Sequence, residues 1–125
     1  MSNLYIIATP IGNMGDITLR AIETLKNVDL ILCEDTRMTK RLLDKYSIHK
    51  PTMSYHSHSK LSKTNKIIEL LEEGKNLALV SDAGTPTISD PGAILISKIR
   101  ESKKLSRFTL DIEIIPIPGA SAFVA

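Results

Sequence analysis

Short apolar runs alternate with amphipathic stretches from one end of the chain to the other. LYIIAT (4–9), VDLILC (28–33), TMSY (52–55), LALVS (77–81) and EIIPI (113–117) read as strands. Most are continuous apolar runs and do not alternate with period two, which is the pattern of strands covered on both faces. Helical periodicity fills the intervals. In Thr18–Asn27, Leu19, Ile22 and Leu25 recur every third residue, with Asp16 or Thr18 as the N-cap. Arg37–Tyr46 follows Thr36 as a possible cap. Ser62–Glu73 opens on a capping Ser62, carries Ile67, Ile68, Leu70 and Leu71, and stops at Gly74. Asp90-Pro91 supplies a cap and then a proline at the first helical position, where its missing N–H costs nothing; that helix is expected to run to about Lys103. Strand–helix alternation of this kind implies right-handed βαβ units. The expectation is an α/β domain with a parallel five-stranded sheet flanked by helices.

With 125 residues, 42% of them hydrophobic and 24% charged, the chain suits one globular domain with a real core. No apolar run reaches transmembrane length and no signal-like N-terminus is present, so the expectation is a cytoplasmic protein without a membrane partner. Cys33 is the single cysteine, which excludes a disulfide framework within the chain. A net charge of +2 neither requires nor excludes nucleic acid. The chain ends on PGASAFVA, small apolar residues after a turn signal, which reads as the opening of a helix with more protein to follow.

In open parallel sheets, ligands bind outside the carboxyl ends of the strands. Here those ends carry TPIGN (9–13), EDTR (34–37), YHSHS (55–59), SDAGTP (81–86) and PGAS (118–121). Any one of them alone reads equally well as a connecting loop. Five together on one rim point to a site. TPIGN has a single glycine where a dinucleotide fingerprint needs three, and no P-loop pattern occurs. SDAGTP offers Gly84 for close backbone approach and Pro86 for rigidity. In EDTR, Glu34 or Asp35 suits a general base and Arg37 suits an anion; the plain alternative is Thr36 capping a helix and Asp35 pairing with Arg37. His56 and His58 share a face if extended, but with no third ligand nearby they read as surface histidines or as a polar patch meeting substrate, with no metal. Lys40, Arg41, Lys45, Lys50, Lys60, Lys63 and Lys66 surround the third strand, either as solvated helix faces or as a phosphate-tracking surface.

Taken in order, ATPIGNMGDIT (8–18), CEDTR (33–37), YHSH (55–58), VSDAGTPTISDPG (80–92) and IPGASA (117–122) resemble the small-subunit ribosomal RNA 2′-O-methyltransferases of the tetrapyrrole methylase superfamily. The resemblance runs from about Leu4 to Ala125 and covers the N-terminal domain of that family, residues 1–125 here, with the C-terminal domain absent from this chain. It implies transfer of a methyl group from S-adenosyl-L-methionine to the ribose 2′-hydroxyl of a cytidine in 16S ribosomal RNA, with RNA or the assembled small subunit as partner. A homodimer is expected because a wall that faces a partner domain is more apolar than an ordinary surface, and the contact is expected through the carboxyl-end rim or the helix begun at Gly119. The resemblance implies Pro10, Asp82, Ala83, Gly84, Ile88 and Ser121 as cofactor residues. It also turns Glu34, Asp35, Arg37, His56 and His58 toward the acceptor nucleotide. Two other readings stay open: a superfamily methylase acting on a tetrapyrrole, and a ligand- or RNA-binding module without catalysis.

Overall fold

The computed structural model describes residues 2–8, 17–56, 59–81, 91–105 and 112–117. The elements follow one another as β1 (Ser2–Ala8), α1 (Leu19–Asn27), β2 (Leu30–Cys33), α2 (Thr36–Lys45), β3 (Thr52–Ser54), α3 (Leu61–Glu72), β4 (Leu77–Ser81), α4 (Pro91–Leu105) and β5 (Ile112–Ile117). The five strands form one sheet in the order β3-β2-β4-β1-β5, and every pairing is parallel.

Side-chain alternation divides the strands between two cores. On β4, Ala78 and Val80 join one cluster, while Leu77 and Leu79 join the other. On β2, Ile31 and Cys33 face one way and Leu32 the other. The first cluster takes Ala21 and Leu25 from α1 and Leu42 and Leu43 from α2; the second takes Ile67, Ile68 and Leu71 from α3 and Leu95 and Ile99 from α4. Two helices thus cover each face, which is why the central strands need apolar residues at every position. The amino-terminal edge is tied by polar groups. The Asn76 N–H donates to Asp29 Oδ2 (2.9 Å), the Asp29 N–H to the Asn76 carbonyl (2.7 Å), and the Asn3 N–H to Asn76 Oδ1 (2.9 Å), linking the entries to β1, β2 and β4.

Helix ends follow local chemistry. Thr18 caps α1, its hydroxyl accepting from the Ala21 N–H at 3.1 Å. Asp35 caps α2, where Thr36 was the sequence expectation. Asp35 stands in the extended conformation a cap needs, while Thr36 is already helical. For α3 the cap position is Lys60, with no side-chain cap bond; the expected Ser62 lies inside the first turn. Both α2 and α3 close on Schellman motifs. The Ile48 N–H donates to the Leu43 carbonyl (2.8 Å) with Ser47 at φ 56°, and the Lys75 N–H donates to the Leu70 carbonyl (3.1 Å) with Gly74 at φ 91°.

Candidate functional site at the carboxyl edge

Strand register places the site. Ser54 pairs with Cys33, Cys33 with Val80, Val80 with Ile7, and Ile7 with Ile117. One residue further, Tyr55, Glu34, Ser81 and Ala8 stand at the same level, with the Tyr55 N–H donating to the Cys33 carbonyl at 2.8 Å. The carboxyl ends of all five strands therefore share one edge. After β2 the chain turns toward β3, and after β4 toward β5. β2 and β4 are neighbours whose next strands, β3 and β5, lie on opposite sides of the pair, the kind of position at which open α/β sheets bind ligands. This brings Glu34 beside the strand from which SDAGTP continues.

The four EDTR residues do different work. One Asp35 oxygen, Oδ1, accepts both the Arg37 N–H (2.9 Å) and the Met38 N–H (3.2 Å), so this carboxylate is held by the first turn of α2. The Asp35–Arg37 ion pair offered by the plain sequence reading does not form; the aspartate meets the arginine's backbone N–H. Glu34 and Arg37 are exposed, and neither side chain takes a hydrogen bond or ion pair among the described residues. Of the two carboxylates, Glu34 is the one without a partner among the described residues.

His56 is exposed at the end of the β3 segment. Its N–H donates to Ser59 Oγ (2.9 Å) and its carbonyl accepts the Ser59 N–H (2.9 Å), a reciprocal turn that leads into α3. Beneath it, Tyr55 is buried and its hydroxyl lies 3.1 Å from Thr64 Oγ1. Lys63, grouped by sequence with the surface cations, is half-buried instead: its Nζ donates to the Ser54 carbonyl (2.9 Å) and Ser54 Oγ (3.1 Å), closing the free end of β3. Lysine spacing carries no sign of this role, which depends on α3 lying beside β3. Pro10, Asp82, Ala83, Gly84, Ile88, Ser121 and His58 lie outside the described residues. Among the described residues, no three His, Cys, Asp or Glu side chains are grouped for a metal ion, and no helix is long and apolar enough to cross a membrane.

Large exposed apolar side chains gather on the same rim. Leu19 (80% exposed), Met38 (47%) and Leu61 (60%) stand in the first turns of α1, α2 and α3, all of which begin at the carboxyl edge.

Comparison with known proteins agrees with this architecture. Ribosomal RNA small subunit methyltransferase I of Mycoplasmopsis pulmonis is 56% identical over 98% of this chain and 52% of its own length. The proteins of the same name from Synechocystis and Bacillus subtilis are 51% and 52% identical, over 100% and 98% of this chain and 42% and 39% of theirs. The chain thus spans about half or less of the length of these curated relatives. A solved structure of a protein proposed to be cobalamin-synthesis related (CobF), from Corynebacterium diphtheriae, matches 98% of this chain and 55% of its own with a TM-score of 0.66 at 19% identity, a likeness of fold. The sequence family described as Tetrapyrrole (Corrin/Porphyrin) Methylases matches residues 3–125. The chain belongs to the tetrapyrrole (corrin/porphyrin) methylase family.

Proposed function

We propose that residues 1–125 form the N-terminal α/β domain of a two-domain methyltransferase. The complete enzyme uses S-adenosyl-L-methionine to methylate the ribose 2′-hydroxyl of a cytidine in 16S ribosomal RNA, in the cytoplasm and as a homodimer. The observation that carries the reading is the register that sets Glu34 beside Ser81 at the diverging ends of β2 and β4. Relatives about half identical over nearly the whole chain and named as small-subunit rRNA methyltransferases support the acceptor. The exposed Leu19, Met38 and Leu61 on the rim support a second domain covering that edge.

The described edge fits the cofactor. Ala8 and Ser81, paired at the ends of β1 and β4, are small, and the carboxylate beside them suits a sulfonium better than a phosphate. Pro10, Asp82, Ala83, Gly84, Ile88 and Ser121, which continue from the ends of β1, β4 and β5, would hold it. When bound, it supplies a methyl group already activated by the sulfonium charge. The chain's part is alignment of the acceptor oxygen, which can supply several kcal/mol of the barrier. Glu34 takes the proton that the 2′-hydroxyl releases as the new C–O bond forms. Arg37 holds a neighbouring phosphate through its guanidinium. Asp35 fixes the turn that carries both residues, and His56 with His58 borders the acceptor.

Calorimetry with S-adenosyl-L-methionine tests the cofactor half of the proposal. Gly84→Val in the two-domain protein is expected to abolish binding with little loss of folding. Unchanged affinity would take SDAGTP out of the site. The chain by itself, lacking one wall of the cleft, should bind on the order of a thousandfold more weakly. Sedimentation of the two-domain protein checks the homodimer.

A further inference from the structure

The cations that sequence groups around the third strand separate in the fold. Lys63 is spent on Ser54. Lys60 and Lys66 belong to the α3 side of the sheet, and Arg37, Lys40, Arg41 and Lys45 to the α2 side. On α2, Thr39, Leu42 and Leu43 are buried, and the remaining face carries these four cations against one carboxylate, Asp44. Arg37, Arg41 and Lys45 follow one another at four-residue intervals, so they form a single stripe along the helix. It starts in the turn capped by Asp35, next to Glu34, and runs away from the rim.

Helix stability does not account for this stripe. Like charges four residues apart repel, and a cation in the first turn opposes the helix dipole. Arg37 has both faults, and Arg41 repels a neighbour on either side. Among the described residues no ion pair engages Arg37, Lys40 or Arg41. Helix α4 carries as many cations in its sequence. They lie in its second half, where the dipole favours them, and Lys98 pairs with Glu101 at 3.6 Å. On α3 the first-turn cation, Lys63, is engaged by Ser54, whereas Arg37 in the first turn of α2 has no side-chain partner among the described residues.

We propose that the outer face of α2 binds the phosphodiester backbone of the RNA, with Lys40 and Arg41 as its central contacts. A polyanion cancels the repulsion along the stripe, and a strand crossing the rim at Glu34 meets the stripe at Arg37. This inference rests on the reading of the protein as an RNA methyltransferase and assigns the surface that carries the substrate to the site. The contacts are to phosphate, so they set affinity and register without choosing a base.

Binding of a fluorescein-labelled oligouridylate of about 12 nucleotides, followed by anisotropy across a range of KCl concentrations, tests it. The chain itself, the Lys40→Gln/Arg41→Gln variant and a Lys66→Gln/Arg100→Gln control with the same loss of charge are compared. Each single-strand phosphate contact contributes about 0.7 to the slope of log affinity against log salt, or roughly fivefold in affinity at 0.1 M. The α2 variant should lose about 1.4 from the slope and about 25-fold in affinity at 0.1 M, while the control stays close to the parent chain. Glutamine keeps helix propensity and removes repulsion, so the α2 variant should melt no lower than the parent. Equal slopes for the two variants, or an unchanged slope in the α2 variant, would overturn the α2 surface and leave the methyltransferase reading standing. A parent chain that does not bind the RNA would overturn the surface and count against an RNA substrate as well.

Discussion

Replacing Asp35 separates capping from catalysis. Its Oδ1 accepts two N–H groups, from Arg37 and Met38, and both of those residues are exposed. Asp35→Ala leaves both donors to water, so the loss falls near the usual N-cap value of about 1 kcal/mol. Removing a negative charge from the helix N-terminus adds about 0.3–1 kcal/mol. Asp35→Asn keeps the acceptor and loses only the charge. We expect destabilisation of about 1–2 kcal/mol for the alanine variant and under about 1 kcal/mol for asparagine. For a chain of this length, 1 kcal/mol corresponds to roughly 3–6 °C in Tm. Thermal unfolding followed by far-ultraviolet circular dichroism reads the difference directly. In the two-domain protein, Asp35→Asn should retain methyl transfer, whereas Glu34→Gln should lower it about 100-fold or more. An unchanged Tm for Asp35→Ala would refute the capping role. Loss of transfer in Asp35→Asn at native stability would give Asp35 the proton-accepting role instead.

Other outcomes follow from the helix ends and the buried hydroxyl pair. Gly74→Ala should lower stability by about 1 kcal/mol even though no atom lies within 4 Å of the added Cβ, because φ of 91° strains an L residue. Ser47→Gly should raise it by about 0.5 kcal/mol, since Ser47 already holds a left-handed φ of 56°; urea unfolding of the two variants should shift in opposite directions. Tyr55→Phe should cost about 1 kcal/mol by leaving the buried Thr64 hydroxyl without its 3.1 Å partner, again read from the urea midpoint.

The central strands were legible because they are nearly all apolar: LALVS (77–81) marks β4 at both ends, and a strand that feeds two cores has to read that way. Edges were less legible. β1 begins at Ser2, ahead of the apolar run, because Ser2 and Asn3 pair with Ile112 and Glu113 of β5 and need no apolar side chain for that. β2 starts at Leu30, since Val28 and Asp29 belong to the turn tied to Asn76. Strand order could not be read from periodicity, yet it decides which polar segments meet: EDTR and SDAGTP are far apart in sequence and continue from neighbouring strands. Within EDTR, the sequence points to Thr36 as the cap and to Asp35 as an ion-pair partner of Arg37, whereas Asp35 itself caps α2. Asp35, Thr36 and Arg37 are consecutive, and only the exit angle of β2 determines which of them precedes the helix. Lys63 shows the same limit, for its charge is visible in sequence and its bond to the Ser54 carbonyl is not.

The central claim is transfer of a methyl group to a ribose in small-subunit RNA, and it can be tested in one measurement. The two-domain protein is incubated with small ribosomal subunits and S-adenosyl-L-methionine labelled on the methyl group, and the RNA is digested to nucleosides and resolved by mass spectrometry. The account predicts label in 2′-O-methylcytidine, reduced at least 100-fold by Glu34→Gln. Label on a base, or no label in RNA with active transfer to a tetrapyrrole, would contradict it.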